Sequence, residues 1–379
     1  MIKSRLPEVG TSIFTVMSKM ALDHGAINLS QGFPDFPVSE ELIELIYKNM
    51  RDGHNQYAPM PGAPALKQSI AKVVIETYNR PTDPDTDIII TAGGTEALYS
   101  AIAAFIREGD EVMILDPAYD SYDPAVRLNG GVPVHVNLVA PSFAVPWDEV
   151  ASKITRRTKA IMINTPHNPT GTVMSDGDMK RLEAIAIEHD LIVISDEVYE
   201  RLIYDNEKHQ SVLKFPELRK RSIACFSFGK TFHATGWKVG YTVAPADITT
   251  EIRKTHQFIT FAVNTPVQLA IATYLQNPEN YLHLGKFYQA KRDFFLDQIK
   301  GSSFEPLKST GSYFQLLSYR NISNRSEIEM AEWMTKEHKV ASIPVSVFYK
   351  DGTSQQLLRF CFAKREETLE KAGKILKKL

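Results

Sequence analysis

The chain has 379 residues, 43% of them hydrophobic and 23% charged. At roughly 150 residues per domain it exceeds one domain, and it is too apolar to be mainly disordered. Forty-three Lys and Arg against 45 Asp and Glu leave a formal charge of -2, so no overall field draws it to nucleic acid or anionic lipid, and any anion site must be local. The N-terminal segment has no apolar h-region with a small-residue cleavage site, and nowhere do 18 apolar residues run together, so a soluble cytoplasmic protein is expected. Residues 88–90 (III) read as a strand followed by TAGG and a helical TEALYSAIAAFI. Residues 111–115 (EVMIL) end in DPAYDSY, and 160–163 (AIMI) run into NTPHNPTG. A helix is expected around 176–189, then a strand at 191–194 (LIVI) before SDEVYERL, and one at 222–226 (SIACF) before SFGKTFHATGWKVGY. Such alternation predicts an α/β domain with a mostly parallel sheet, whose ligands bind beyond the C-terminal strand ends. From about residue 276 the pattern changes to a charged helix at 281–300, strands in GSYFQLL and LLRFCFAK, and a helix at 326–338, which reads as a smaller α+β domain.

Cys225 and Cys361 are the only cysteines, in no CxxC or Cys/His cluster, which argues against a disulfide framework and against a structural metal. Lys230 follows a predicted strand in Ser227-Phe228-Gly229-Lys230-Thr231. A Walker loop needs glycine where Ala224 stands, so a nucleotide loop fails. Most lysines are solvated surface charges; Lys230 gains meaning from its neighbours, because a lysine held at a sheet edge near Lys238 can serve as a Schiff-base amine. Asp196 ends another strand. Alone it is a helix cap; beside a Schiff-base lysine it is a partner for a pyridine nitrogen. Asn168 and Tyr199 could then donate to a phenolic oxygen. Gly93, Gly94 and Thr95 turn a strand into a helix and offer free amides to an anion, while Arg359, inside an apolar strand, is either an edge residue or a carboxylate clamp.

With these residues in view, SFGKTFHATGWKVGY, NTPHNPTG, SDEVYE, GGTEAL, QGFPDF and LLRFCF appear in the order found in the pyridoxal-phosphate-dependent class I, fold type I aminotransferases. The chain resembles that family over essentially its whole length. It is most similar to the branch containing methionine aminotransferase and kynurenine aminotransferase (glutamine transaminase K), through NLSQGFPDFP, QYAPMPGAPAL and FAVNTPVQLA. The resemblance implies an aspartate aminotransferase-like fold: a large domain (40–275) with a mostly parallel seven-stranded sheet, and a small α+β domain built from both chain ends (1–39 and 276–379). It implies pyridoxal 5'-phosphate as cofactor, with Lys230 as Schiff-base lysine and proton shuttle, Asp196 at the pyridine nitrogen, and Asn168 and Tyr199 at O3′. It also implies a phosphate cup of Gly93, Gly94, Thr95, Ser227 and Lys238, a stacking ring at Tyr119, and Arg359 with Gly32 for the substrate carboxylate. Tyr57 matches a tyrosine that reaches the other subunit's phosphate, which implies a homodimer with shared sites.

Lys238 departs from the arginine common in relatives, and Ala262 stands where kynurenine users carry a more polar residue. Phe14, Tyr119 and Phe261 are expected to line the side-chain end, an aromatic wall suited to a thioether or a ring. The expected substrates are methionine, aromatic or glutamine-like amino acids and a 2-oxo acid, exchanged by a ping-pong route. The alternative is a kynurenine/glutamine aminotransferase with cysteine-conjugate β-lyase side activity. A non-catalytic sensor joined to a DNA-binding module is disfavoured: roughly 30 residues precede QGFPDF, and no basic recognition element is visible.

Overall fold

The computed structural model describes residues 2–379. A short strand, β1 (Ile27–Asn28), follows the first helix (Ile13–Asp23). The large sheet is then built from β2 (Ile88–Thr91), β3 (Glu111–Asp116), β4 (Val132–Asn137), β5 (Thr158–Asn164), β6 (Ile192–Asp196), β7 (Ser222–Ser227) and β8 (Gly240–Val243). Its order is β2-β8-β7-β6-β5-β3-β4, and only β8 runs antiparallel to its neighbours. Alternate side chains leave a strand on opposite faces. Met113 and Leu115 accordingly join one core while Val112 and Ile114 join the other, and Ile161 and Ile163 separate from Ala160 and Met162 in the same way. Burial on both faces explains why these strands read as unbroken apolar runs.

Two strands of this sheet escape the apolar-run reading. β4 (VPVHVN) is a half-exposed edge strand with alternating polarity and a proline, which an edge tolerates. β8 (GYTV) is four residues long and begins with a glycine inside the segment read as a strand-end loop. The helices at Gly94–Phe105, Asp176–Glu188 and Glu327–Glu337 form near their expected positions, the last two behind capping boxes, Ser175 with Asp178 and Ser326 with Glu329. The helical region expected at 281–300 is divided at His283 into Glu279–Leu282 and Leu284–Ile299.

The last hundred residues contribute β9 (Glu305–Pro306), β10 (Phe314–Ser318), β11 (Val340–Ala341), β12 (Ile343–Pro344) and β13 (Leu357–Cys361). Four of these form an antiparallel sheet in the order β12-β13-β10-β9, and β1 pairs in parallel with β11. Leu29 accepts a hydrogen bond from the Cys361 amide at 2.8 Å, so the N-terminal segment lies against β13.

Register decides what meets at the C-terminal edge of the large sheet. Asn164 pairs with Asp196. Because β8 runs backwards, its first residue, Gly240, lies opposite both Thr91 at the end of β2 and Ser227 at the end of β7. The strand ends carrying chemistry are thereby neighbours.

Candidate active site

One cavity of about 320 Å³ opens at this edge. Its lining includes Phe14, Gly32, Gly93, Gly94, Thr95, Tyr119, Asn168, Asp196, Tyr199, Ser227, Lys230, Lys238 and Arg359. Thirteen residues singled out from sequence therefore surround a single space. Two do not. Tyr57 is 81% exposed and Phe261 47%; their rings meet edge to face at 5.4 Å outside the cavity of their own chain. Within its own chain Phe261 is therefore apart from Phe14 and Tyr119, because the turn after the Ala246–Ile259 helix carries it to the surface with a φ of 67°.

Lys230 sits on the four-residue helix Phe228–Thr231 that begins where β7 stops. Its amine lies deep, and burial, reinforced by Arg359 and Lys238, lowers its pKa to about 8 against the opposing pull of Cys361 and Asp196. Roughly a tenth of such a group is free amine at neutral pH. Burial is the larger of the two causes, with the cationic neighbours second. Asp196 is buried at the end of β6, which pushes its carboxyl up to about 6. Tyr122 donates to Oδ2 at 2.6 Å and the Val198 amide donates to Oδ1 at 3.2 Å. Asn164 holds the two strand ends together: its Nδ2 donates to the Asp196 carbonyl at 2.9 Å while its Oδ1 accepts the Asn168 amide at 2.7 Å.

Arg359 occupies the middle of β13, between Leu316 and Ile343, and is 1% exposed. Its guanidinium donates to Asn168 Oδ1 at 2.7 Å and to the Ser30 carbonyl at 3.0 Å. The ring of Phe314 lies 3.9 Å below its Cζ, with Phe14 and Phe348 further out. None of these partners is a carboxylate, and Nε is buried without a partner. Burial lowers its pKa to about 10, so it remains a cation, and an uncompensated buried cation is costly until an anion arrives. The contact with Arg359 also orients the Asn168 amide, leaving its NH₂ free for the cavity.

Gly93 caps the helix Gly94–Phe105 with a φ of 79° and no side-chain cap, so the first amides of that helix are open to an anion. The Lys238 amine stands about where a side chain on Gly93 would point, 3.5 Å from an added Cβ. Lys230, Lys238 and Arg359 are the cations of the lining and Asp196 its one carboxylate, an excess of positive charge suited to a ligand with more than one anionic group. Sequence reasoning passed over Tyr122, Asn164 and Tyr313. Tyr122 and Asn164 stand in the strand-end segments DPAYDSY and NTPHNPTG, and that position was the available signal; Tyr313, in GSYFQLL, gave none beyond its neighbour Phe314.

A sequence profile of the family described as aminotransferase class I and II matches residues 24–376. The methionine aminotransferase of Escherichia coli strain K12 is 49% identical over 378 residues, spanning 100% of this chain and 98% of that protein. A solved Escherichia coli structure with an identified methionine aminotransferase function superposes with a TM-score of 0.98, covering 100% of both chains. Human kynurenine–oxoglutarate transaminase 3 is 33% identical over 407 residues, covering 98% of this chain and 89% of its own. Thermus thermophilus aspartate aminotransferase with maleate has a TM-score of 0.91 at 28% identity, covering 100% of this chain and 99% of that one.

Proposed function

The chain belongs to the class I and II aminotransferase family, and from that premise we propose that it uses pyridoxal 5'-phosphate to move an amino group from an L-amino acid to a 2-oxo acid in two alternating half-reactions. The observation that carries this reading is the meeting in one cavity of a buried amine, a buried carboxylate and a guanidinium with no carboxylate partner. The residues fit the cofactor. The open amides at Gly94 and Thr95, with Ser227 and Lys238, make a seat for a phosphate. Asp196 is available to a ring nitrogen, the free Asn168 NH₂ and the Tyr199 hydroxyl to a phenolic oxygen, and the Tyr119 ring to the heterocycle's face.

When bound, pyridoxal phosphate supplies an electron sink for bond cleavage at the substrate Cα. The protein does the rest. Arg359 takes the α-carboxylate, a charge-assisted pairing that relieves its own desolvation. Asp196, with a pKa of about 6, is anionic at neutral pH and holds the proton on the ring nitrogen, oriented by Tyr122 and Val198. Lys230 would hold the cofactor's aldehyde carbon, and its amine, when free, is the group placed to take the proton from Cα and to give it back.

Phe14, Tyr119 and Phe314 supply aromatic walls. Each lining cation already has a role, which leaves none for a side-chain carboxylate. The reading is therefore methionine, with aromatic and glutamine-like amino acids, as donor, in line with the Escherichia coli relative. A donor screen that follows the half-reaction spectrum tests it: kcat/KM for methionine is expected to exceed that for aspartate, and the reverse order overturns it. A second reading, kynurenine or glutamine as donor with β-lyase side activity, is favoured by the kynurenine transaminase relatives; pyruvate and ammonia formed from a cysteine conjugate without any oxo acid would support it.

The reading includes a homodimer whose subunits share sites. The exposed Tyr57, Phe258 and Phe261 support it, since apolar rings of that size are usually covered. The pairing of β1 with β11 supports a small domain made of residues 1–39 and 276–379 around the 40–275 domain. Among the described residues no helix is long and apolar enough to cross a membrane. Two buried free thiols support a reducing, cytoplasmic setting.

A further inference from the structure

Tyr313 lies in the turn just before β10, fully buried. Its hydroxyl is where three distant segments of the chain converge: Lys230 Nζ lies 3.0 Å from it, and it donates to the carbonyl of Gly32. That carbonyl is itself 3.5 Å from Nζ. The Tyr313 ring is held edge to face against Tyr199 at 5.1 Å and Phe314 at 4.8 Å, and tilted against Tyr288 at 5.9 Å, so the hydroxyl has little freedom.

A phenol has one proton. With that proton committed to Gly32, the Tyr313 oxygen can only accept from Lys230. The amine therefore donates to the Tyr313 oxygen, and the Gly32 carbonyl that takes the Tyr313 proton lies on the same side of Nζ. Lys230 also lines the cavity, so the amine is anchored on the Tyr313 side and faces the cavity on the other. The other groups facing the amine are Asp196, Arg359, Lys238 and Cys361, together with the Tyr199 ring at 5.7 Å.

We propose that Tyr313 is a positioning residue that parks the freed Lys230 amine at the cavity wall and ties it to the Gly32 segment of the same wall. This rests on the reading of Lys230 given above. The amine accepts one proton at the lone pair and gives the same proton back, so Nζ ends neutral and Tyr313 keeps its own proton throughout.

The test compares Tyr313→Phe with Tyr288→Phe, which removes another buried hydroxyl of the same aromatic cluster, one that has no partner. Two quantities are read. In cofactor-free protein, the pH midpoint for acetylation of Lys230 is followed by mass spectrometry. Loss of the acceptor oxygen disfavours the ammonium form, so Tyr313→Phe is expected to lower that midpoint. In the cofactor-loaded enzyme, single turnover of methionine and of Cα-deuterated methionine is followed. Tyr313→Phe is expected to slow the step about 10- to 100-fold, raise the isotope effect and leave KM for methionine unchanged, while Tyr288→Phe matches the wild type. If either the midpoint or the isotope effect in Tyr313→Phe stays at the Tyr288→Phe value, the proposal is overturned. If the wild type itself shows no half-reaction, it is the aminotransferase reading that fails.

Discussion

At the scale of single residues, the site is organised by groups whose burial is compensated only when ligands bind. Arg359 spends its visible hydrogen bonds on an amide oxygen and a carbonyl, which satisfy N–H groups without neutralising charge. Arg359→Lys keeps the charge but loses the planar fork, so the KM for the amino donor should rise about 10- to 100-fold with a smaller change in kcat, read by steady-state kinetics. Asp196→Asn preserves shape and removes the anion; kcat should fall on the order of 100- to 1,000-fold. Tyr122→Phe, which removes one of the two hydrogen bonds to that carboxylate, should cost much less. Lys230→Ala should abolish the visible absorption band of the loaded protein together with turnover.

At the scale of elements, two contacts hold the strand ends in place. Gly240 begins β8 so close to its neighbours that an added Cβ would lie 2.5 Å from the Phe226 carbonyl oxygen and 2.8 Å from the Gly93 carbonyl carbon. Neither is a flexible side chain. Gly240→Ala should therefore push β8 away from the Gly93 turn, lowering the melting temperature and weakening phosphate retention together. The second contact is His135 on β4, whose ring nitrogens face Asp116 on β3 at 2.9 Å and Asp123 in the helix Tyr122–Leu128 at 3.1 Å. Burial pulls its pKa down, but the two carboxylates outweigh it and bring it up to about 9. A folded pKa above the unfolded value of about 6.5 means stabilisation that is complete below pH ~6.5 and lost as pH rises through ~9. At ~1.4 kcal/mol per pKa unit the effect is on the order of 3–4 kcal/mol. Thermal unfolding should show wild type well above His135→Gln at pH 6 and the gap closing above pH 9.

At the scale of the molecule, a net charge of -2 coexists with a cavity carrying three cations and one carboxylate, so attraction for anions is local and not a property of the whole surface. Tyr57 lies outside its own cavity, which makes subunit sharing testable by mixing. Tyr57→Phe and Lys230→Ala chains refolded together should form hybrids with one intact site, recovering cofactor retention that neither variant has alone. What the sequence by itself determined is what local order encodes: β2, β3, β5, β6 and β7 as short apolar runs, the helices near 176–189 and 326–338, and the placement of Asp196 and Lys230 at strand ends. Strand order and register were outside its reach, because hydrogen bonds between strands join residues far apart in the chain and leave no local periodicity. Only the tertiary structure brought Ser30, Asn168 and Arg359 together, set the Tyr313 hydroxyl against Lys230, and placed Phe261 outside the cavity of its own chain. A buried run predicts that a strand exists, whereas the side chains that meet across its end depend on which strands lie beside it and in what register.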